Sequence, residues 1–517
     1  LTEMALGGAL CGEARLWEAD DGTWLVDGDP MEGGLLVAAR KAAQEPEELH
    51  REYPRTDIIP FESQHRFMAT LHHDHAGHGL IFVKGAPEQL LEMCASQRSA
   101  EGDQALDAAF WLDRMETLAA RGQRVLALAV RATDAEHGEL SFGDVESGLT
   151  LLGLFGLADP PRDEAITAIA RCRDAGIDVK MITGDHRATA VAIAGQLGLE
   201  EAGALTGPEI DELDDDTLVA KADQVGVFAR TSPEHKLRLV EALRARGRVV
   251  AMTGDGVNDA PALKRADVGV AMGLKGTEAA KEAAEMVLAD DNFASISHAV
   301  EEGRTIYDNL KKSIAFILPT NAGQALTILG AIVLGRSMPI TPVQILWVNM
   351  ITAVTLALAL AFEPAEKRVM SRPPRDPGRP ILDSFLVWRI GFVGLILVTG
   401  TFGMFLWERA QGTDLETART VAVNTLVLFE VFYLFSSRYL RAPVLSREGL
   451  LGSRPVLLAI GLVLIFQALY TYAPPFQFLF DSRALDAMTW VRMAVLAISV
   501  LILVEAEKWL GNLLGRR

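Results

Sequence analysis

From about Asn309 onward this chain of 517 residues is dominated by long apolar stretches, and that restricts its fold more than any other feature. Six runs approach the roughly 20 residues a helix needs to span a bilayer. They are Ser313–Leu334, Val343–Phe362, Phe385–Leu406, Val421–Phe435, Val456–Tyr472 and Met488–Val504. The fourth and fifth are short or interrupted by polar residues, and the alternative is that one or two of the set are interfacial or core helices. Before the first run, Ile306 to Lys312 continues a helical pattern without a breaker. It is expected to be a stalk leading into the preceding domain.

Basic residues predict the orientation. The linker after the second run carries Lys367, Arg368, Arg372, Arg375 and Arg379, and the one after the fourth carries Arg438, Arg441, Arg447 and Arg454. The chain ends Arg516-Arg517, while the intervening loops hold mainly Arg336, Arg409, Arg419 and Arg483. Lysine and arginine accumulate on the cytoplasmic side, so these linkers, the soluble part and the C-terminus are expected there.

The first 300 residues mix charges with alternating strand and helix patterns. A net charge of −19 argues against a nucleic-acid binder, which would present a basic face. The run Asp211-Glu212-Leu213-Asp214-Asp215-Asp216 reads as a solvated loop. Cys11, Cys94 and Cys172 lack metal-ligand spacing and fit buried thiols in a reducing compartment.

The chemistry concentrates in Thr253-Gly254-Asp255-Gly256-Val257-Asn258-Asp259, which follows the apolar run Val249–Met252. That run reads as a buried parallel strand, and its C-terminal end is where open α/β sheets bind ligands. Glycines admit a phosphate to backbone amides, and a carboxylate there suits Mg²⁺, which takes few protein ligands. A second apolar strand, Val179–Ile182, ends in the same turn, Thr183-Gly184-Asp185. Between them, Ala229-Arg230-Thr231-Ser232-Pro233-Glu234-His235-Lys236 places a lysine at a helix start. Thr183 and Gly184, Lys236 and Asp255 would together clamp one phosphoryl group, since such catalysis is mostly positioning and charge neutralisation.

These residues carry a family resemblance. Asp159-Pro160-Pro161-Arg162, Met181 through Asp185 and Thr253 through Pro261 resemble the phosphorylation domain of P-type ATPases, within the haloacid-dehalogenase superfamily. Lys84-Gly85-Ala86-Pro87-Glu88 and Asp29-Pro30-Met31-Glu32-Gly33 resemble that family's nucleotide-binding domain. The likeness is greatest to the type II branch of calcium and sodium/potassium pumps. It implies an α+β nucleotide-binding domain (residues 1–152, partial) and an incomplete α/β haloacid-dehalogenase-like phosphorylation domain with its stalk (153–308). An all-α region of six transmembrane helices would follow (309–517). The family's nucleophile, the aspartate of Asp-Lys-Thr-Gly-Thr, is absent, and the sequence starts at Leu1 already inside the nucleotide domain. By resemblance the actuator domain, four membrane helices and the strand bearing that aspartate lie upstream. The expectation is therefore a C-terminal piece, inactive alone, whose partners are the missing N-terminal part, the lipid bilayer and a transported cation. The family also implies ATP and Mg²⁺, and location in the cell membrane.

The resemblance assigns roles residue by residue. Phe61 matches the ring that stacks on adenine, and Glu32 an acid beside the adenine amine. Lys84 and Arg124 match positions that meet the phosphates; Arg66 stands where calcium pumps carry lysine, and Arg230 belongs to the nucleotide set. Thr183, Gly184, Asp185, Lys236, Asp255, Asn258 and Asp259 form the catalytic set, with Asp255 on magnesium. Met31 replaces a threonine. His72, His73, His75 and His78 lie between two strand-like runs and read as solvated histidines of a hairpin loop. In the apolar runs, Asn321 and Gln324, and likewise Asn349 and Thr352, are three apart and share helix faces. With Glu430 they match cation-ligand positions of the calcium pumps. Gln324 replaces a glutamate there and Ala353 an aspartate. Interhelical hydrogen bonding without an ion is the plain alternative.

Three other readings compete with the pump: a membrane-anchored phosphatase of the same superfamily, a non-catalytic nucleotide-binding regulator, and a lipid-transporting relative. The phosphatase needs its own aspartate nucleophile, and the polar residues Asn321 and Asn349 disfavour the lipid transporter.

Overall fold

The computed structural model describes residues 2–19, 22–62, 64–199 and 203–513. Ser63, Leu1 and the tail arginines Arg516 and Arg517 lie outside the described residues. The chain forms two compact units, Leu1–Arg173 with Asp178–Ser295, and Asp174–Ile177 with Ile296–Arg517.

The first unit opens with a lobe built on a seven-stranded sheet. Its spatial order is Arg55–Ile59, Phe67–His73, Gly79–Gly85, Arg124–Thr133, Leu149–Leu157, Cys94–Ser99 and Gly102–Ala105. Side chains alternate across a strand, so one apolar run can feed two cores. Ala69, Leu71, Ile81, Val83, Ala127 and Ala129 face one core; Met68, Phe82, Leu128 and Val130 face the other. Strand Leu149–Leu157 pairs with Arg124–Val130 from Thr150 to Leu157. The sheet therefore continues past the expected boundary at residue 152.

The histidine-rich segment is a hairpin, but its histidines are not uniformly solvated. His72 and His73 extend the strand, and His72 is fully buried. Burial pushes its imidazole down to about 4, against a bond between Nδ1 and the Tyr53 carbonyl at 3.0 Å. Strand alternation explains it, since residue 72 falls on the inward side with Met68 and Thr70. The turn is made by Asp74, whose carboxylate accepts the amides of Ala76 and His78 and pairs with the His78 ring. All three cysteines are buried.

The remainder of the unit holds two parallel three-stranded sheets. In one, Val227–Ala229 lies between Met181–Ile182 and Ala204–Thr206; in the other, Val268–Met272 lies between Ala251–Gly254 and Met286–Leu288. The strands ending in Thr-Gly-Asp are thus both edges. That corrects the expectation of a buried strand over Val249–Met252. The strand is Ala251–Gly254, and Val249 is 66% exposed, because an edge has a neighbour on one side only. Helix Pro233–Ala245 ties the two sheets together: Val240 enters the core around Met252, while Leu239 and Ala242 enter the core around Phe228. Ile182 packs against both cores.

The second unit is helical. Six helices are long and apolar enough to cross a membrane: Phe293–Val333, Pro342–Ala361, Ser384–Ala410, Leu415–Ser437, Arg454–Tyr472 and Ala487–Leu513. The first runs 41 residues without a break, which includes the expected stalk at Ile306–Lys312. Pro319 lies inside it and has no N–H to give the Ala315 carbonyl. Tyr433 supplies the substitute, its hydroxyl donating to that carbonyl at 2.6 Å. The fourth helix, expected to be short, is the centre of the bundle and is buried along nearly its whole length. Its polar residues are bonded to neighbours; the Asn424 amide donates to Thr471 Oγ1 at 3.1 Å and accepts from Gln467 at 3.3 Å. A helix enclosed by other helices needs no continuous apolar surface, which is why hydropathy alone shortened it. One basic linker residue, Arg438, enters a buried pair with Glu363 at 3.0 Å.

Candidate functional site

The loop Arg230–Lys236 gathers the phosphoryl-site residues. Arg230, in a left-handed conformation, donates its amide to the Asp185 carbonyl at 3.0 Å. Thr231 gives both its amide (3.2 Å) and its hydroxyl (3.1 Å) to the Thr183 carbonyl. Five residues on, Lys236 Nζ reaches Asp259 Oδ1 at 2.6 Å. The buried Asp259 then closes the second turn, Oδ2 accepting the amides of Asp255 (3.2 Å) and Gly256 (3.1 Å). One loop therefore connects Thr183, Asp185, Lys236, Asp255 and Asp259 through hydrogen bonds, although they come from the two separate sheets. Gly184, Asp255 and Asn258 are exposed at this end.

Asp255 and Asp259 differ in kind. Asp259 spends both oxygens on the protein. Among the described residues, no hydrogen bond or ion pair engages the Asp255 carboxylate, while its carbonyl accepts the Thr277 amide at 2.8 Å. A partnerless carboxylate on a strand-end loop fits a magnesium ion held mostly by water and phosphate. Among the described residues no group of three or more His, Cys, Asp or Glu side chains could enclose a metal.

At the nucleotide end, Phe61 is 59% exposed, an apolar ring open to stacking. Lys84 and Glu32 are brought together at 2.5 Å, and Glu32 also accepts the amides of Glu13 (2.7 Å) and Ala14 (2.9 Å). Burial would raise the Glu32 carboxyl, but the lysine and the two amides hold it below its ordinary value. Arg66 is exposed and left-handed, with Nη2 3.5 Å from Gln89. The remaining two arginines pair with acids across the lobes: Arg124 lies 3.8 Å from Asp185, and Arg230 pairs with Glu88. Thr189 Oγ1 adds a 3.2 Å bond to the Gln123 carbonyl.

In the helical unit, a cavity of about 270 Å³ is lined by Phe316, Ile317, Thr320, Asn321, Asn349, Thr352 and Ala353. Gln324, one turn along the same helix from Asn321, donates to Glu430 Oε1 at 3.0 Å. Glu430 is fully buried, and among the described residues its Oε2 has no hydrogen-bond partner. Beside the cavity the second helix loosens into a π turn over Ala353–Ala357. Such turns free carbonyls and concentrate at functional sites. The predicted ligands thus form two adjoining groups, Asn321 with Asn349 and Thr352, and Gln324 with Glu430.

Comparison with known proteins agrees with this geometry. Residues 1–164 match the family described as P-type ATPase, cytoplasmic domain N; residues 236–300 match haloacid dehalogenase-like hydrolase; residues 337–510 match cation transporting ATPase, C-terminus. The chain is 47% identical over 516 residues to a "Probable cation-transporting ATPase F" of Mycobacterium tuberculosis, which covers 98% of this chain and 57% of that protein. It is 44% identical to the cation-transporting ATPase pma1 of Synechocystis (95% and 55%) and 39% identical to a calcium-transporting ATPase of Bacillus subtilis (97% and 56%). The chain belongs to the P-type ATPases. It falls in their calcium-pump-like branch, as a multi-pass membrane protein with an α/β part. It spans a little over half the length of these relatives.

For a P-type ATPase the sequence reading missed two residues. Asp211, assigned to a solvated run, bonds the His235 ring at 2.8 Å, and His235, next to the lysine, is buried. Other acids of that run also have work: Asp214 caps a helix through the Thr217 amide, and Asp215 pairs with Arg238. The available signal was His at the third position after Ser232, where a helix N-cap expects a reciprocal partner.

Proposed function

We propose that this chain carries the nucleotide-binding, phosphoryl-transfer and part of the cation-binding machinery of an ATP-driven cation pump that works through an aspartyl-phosphate. The carrying observation is the pair of parallel half-sheets. Each ends on an edge strand, both edges run into Thr-Gly-Asp, and Ile182 packs into both cores. A parallel strand lying between those edges would deliver its C-terminal residue among Thr183, Lys236 and Asp255. By the family resemblance, that residue would be the aspartate of Asp-Lys-Thr-Gly-Thr.

In this reading residues up to Leu157 bind nucleotide, with Phe61 stacking on the base and Arg66, Lys84, Arg124 and Arg230 supplying charge, and Glu32 orienting Lys84. Residues from there to the stalk form the phosphorylation domain, and the six helices carry the cation. Magnesium, held by Asp255, would neutralise phosphate charge during transfer. Thr183 and Gly184 would orient the phosphoryl oxygens, Lys236 would balance their charge, and Asp259 would hold Lys236. Asn258 would line the same loop. The soluble unit is placed in the cytoplasm and the helices in the cell membrane.

The cation site has fewer charges than a two-calcium site. Dehydrating a divalent ion needs formal negative charge nearby, because neutral oxygens repay less of its hydration energy. Here Glu430 is the one acid among Asn321, Gln324, Asn349 and Thr352. We therefore propose at most one divalent ion per cycle, calcium foremost, or a monovalent ion. The test joins the chain to the upstream part of its Mycobacterium tuberculosis relative and supplies γ-labelled ATP with calcium, manganese, sodium or potassium. Ion-stimulated, acid-stable label in the joined protein and none in the chain alone is the expected result. Label on the chain alone would contradict the strand argument, and two calcium ions bound per phosphoenzyme would contradict the charge argument.

A further inference from the structure

We propose that His235 is a positioning residue for Lys236, locking the start of helix Pro233–Ala245 so that the ammonium meets the transferred phosphoryl group. The inference rests on the phosphoryl-transfer reading of Lys236.

The imidazole has two partners and both are fixed. Nδ1 accepts the Ser232 amide at 2.9 Å, which leaves the ring proton on Nε2 to be donated to Asp211 at 2.8 Å. Ser232 answers through its hydroxyl, which accepts the His235 amide at 3.4 Å. This is the reciprocal arrangement of a capping box, with histidine in the place usually taken by glutamate or glutamine. The histidine adds what those residues do not: a rigid second nitrogen that ties the helix start to a different segment.

That segment is itself anchored. Arg238, one turn along the same helix, donates to the carbonyls of Ile210 (3.3 Å) and Leu213 (3.1 Å), on either side of the His235 contact. The ring also passes directly over Gly207. A Cβ at that position would stand 2.8 Å from the imidazole Cε1 and 2.3 Å from the Arg230 carbonyl oxygen. Glycine there lets the ring, and the loop bearing Arg230, come into contact.

Lys236 is the next residue, and its Nζ lies 2.6 Å from Asp259, which shapes the Asp255 turn. A slip of the helix start therefore moves the ammonium relative to Asp255. Misplacing a reacting group by about 1 Å can cost on the order of a hundredfold in rate. The long, flexible lysine side chain cannot supply that precision alone; His235 supplies it from beneath.

The test measures two quantities in the joined pump, the maximal rate of phosphoenzyme formation per folded molecule and the apparent ATP affinity. His235→Ala should lower the rate roughly ten- to a hundredfold while affinity stays within about twofold. His235→Gln, which can still satisfy the Ser232 amide, should recover most of the loss, and Asp211→Ala should fall between. A merely structural role would reduce the folded yield and leave the rate per folded molecule unchanged, and that result overturns the proposal. So does a His235→Gln variant no better than His235→Ala. If Lys236→Ala itself phosphorylates normally, the reading of Lys236 fails first. On the unmodified chain, ¹⁵N-histidine spectra should show the Nε2–H tautomer at His235; a dominant Nδ1–H form would also overturn it.

Discussion

The molecule contains the tripeptide Thr-Gly-Asp twice, at the ends of two edge strands, and the two copies are built differently. In Thr183-Gly184-Asp185 a Cβ on the glycine would meet nothing within 4 Å, and the aspartate turns toward Arg124 of the neighbouring lobe. In Thr253-Gly254-Asp255 a Cβ would stand 2.5 Å from that of Asp259, and among the described residues the Asp255 carboxylate has no hydrogen-bond or ion-pair partner. The first turn serves the junction with the nucleotide lobe. The second is compressed around Asp259, so that its amides and Lys236 are held while the Asp255 carboxylate stays available. Identical local sequence acquires separate jobs because the residue four positions after the aspartate is Thr189 in the first case and Asp259 in the second.

The largest effect should come from exchanging Asp255 for asparagine, set against the same exchange at Asp185. Asp255→Asn removes charge at the moment of transfer, and phosphoenzyme formation in the joined pump should fall at least 10²–10³-fold. Asp185→Asn should phosphorylate at near the normal maximal rate. Equal losses in the two variants would erase the distinction between the turns.

The glycines separate them by stability. Gly254→Ala forces a methyl against Asp259 and should destabilise the first unit by about 1–3 kcal/mol, the usual cost of overpacking. Gly184→Ala should cost less than about 0.5 kcal/mol, typical of an open surface position. Urea unfolding of the detergent-solubilised chain measures both, and a reversed order would show that the compression around Asp259 is not real.

Nucleotide affinity sharpens the comparison further. Phe61→Ala loses a stacking surface worth about 1–3 kcal/mol and should weaken ATP binding roughly tenfold or more, without altering the second turn. Binding by calorimetry that is unchanged in this variant removes Phe61 from the site. The smallest effect is expected at the lobe junction, where partly exposed ion pairs contribute about 0–1 kcal/mol. Asp185→Asn should therefore shift ATP affinity by less than about fivefold, and the shift should shrink as salt is raised. A larger, salt-independent change would place Asp185 on the nucleotide itself.

Much of this was legible in the residues. Bilayer-length apolar runs follow from composition alone, and the two Thr-Gly-Asp turns, the lysine at a helix start and the polar positions Asn321, Asn349 and Glu430 are local patterns. Such features depend on near neighbours along the chain, and sequence records near neighbours directly. What it could not supply was pairing between distant segments. Nothing local says that Met181–Ile182 and Ala251–Gly254 are edges, that His72 turns inward, or that the fourth of the six spans is the enclosed one. The role of Asp211 depends on a contact 24 residues away, and the Gln324–Glu430 bond on one 106 residues away. Sequence determined which chemistry the chain carries; burial and long-range hydrogen bonding, which exist only once the chain has folded, decided which of two like residues is spent on the protein and which is left for a ligand.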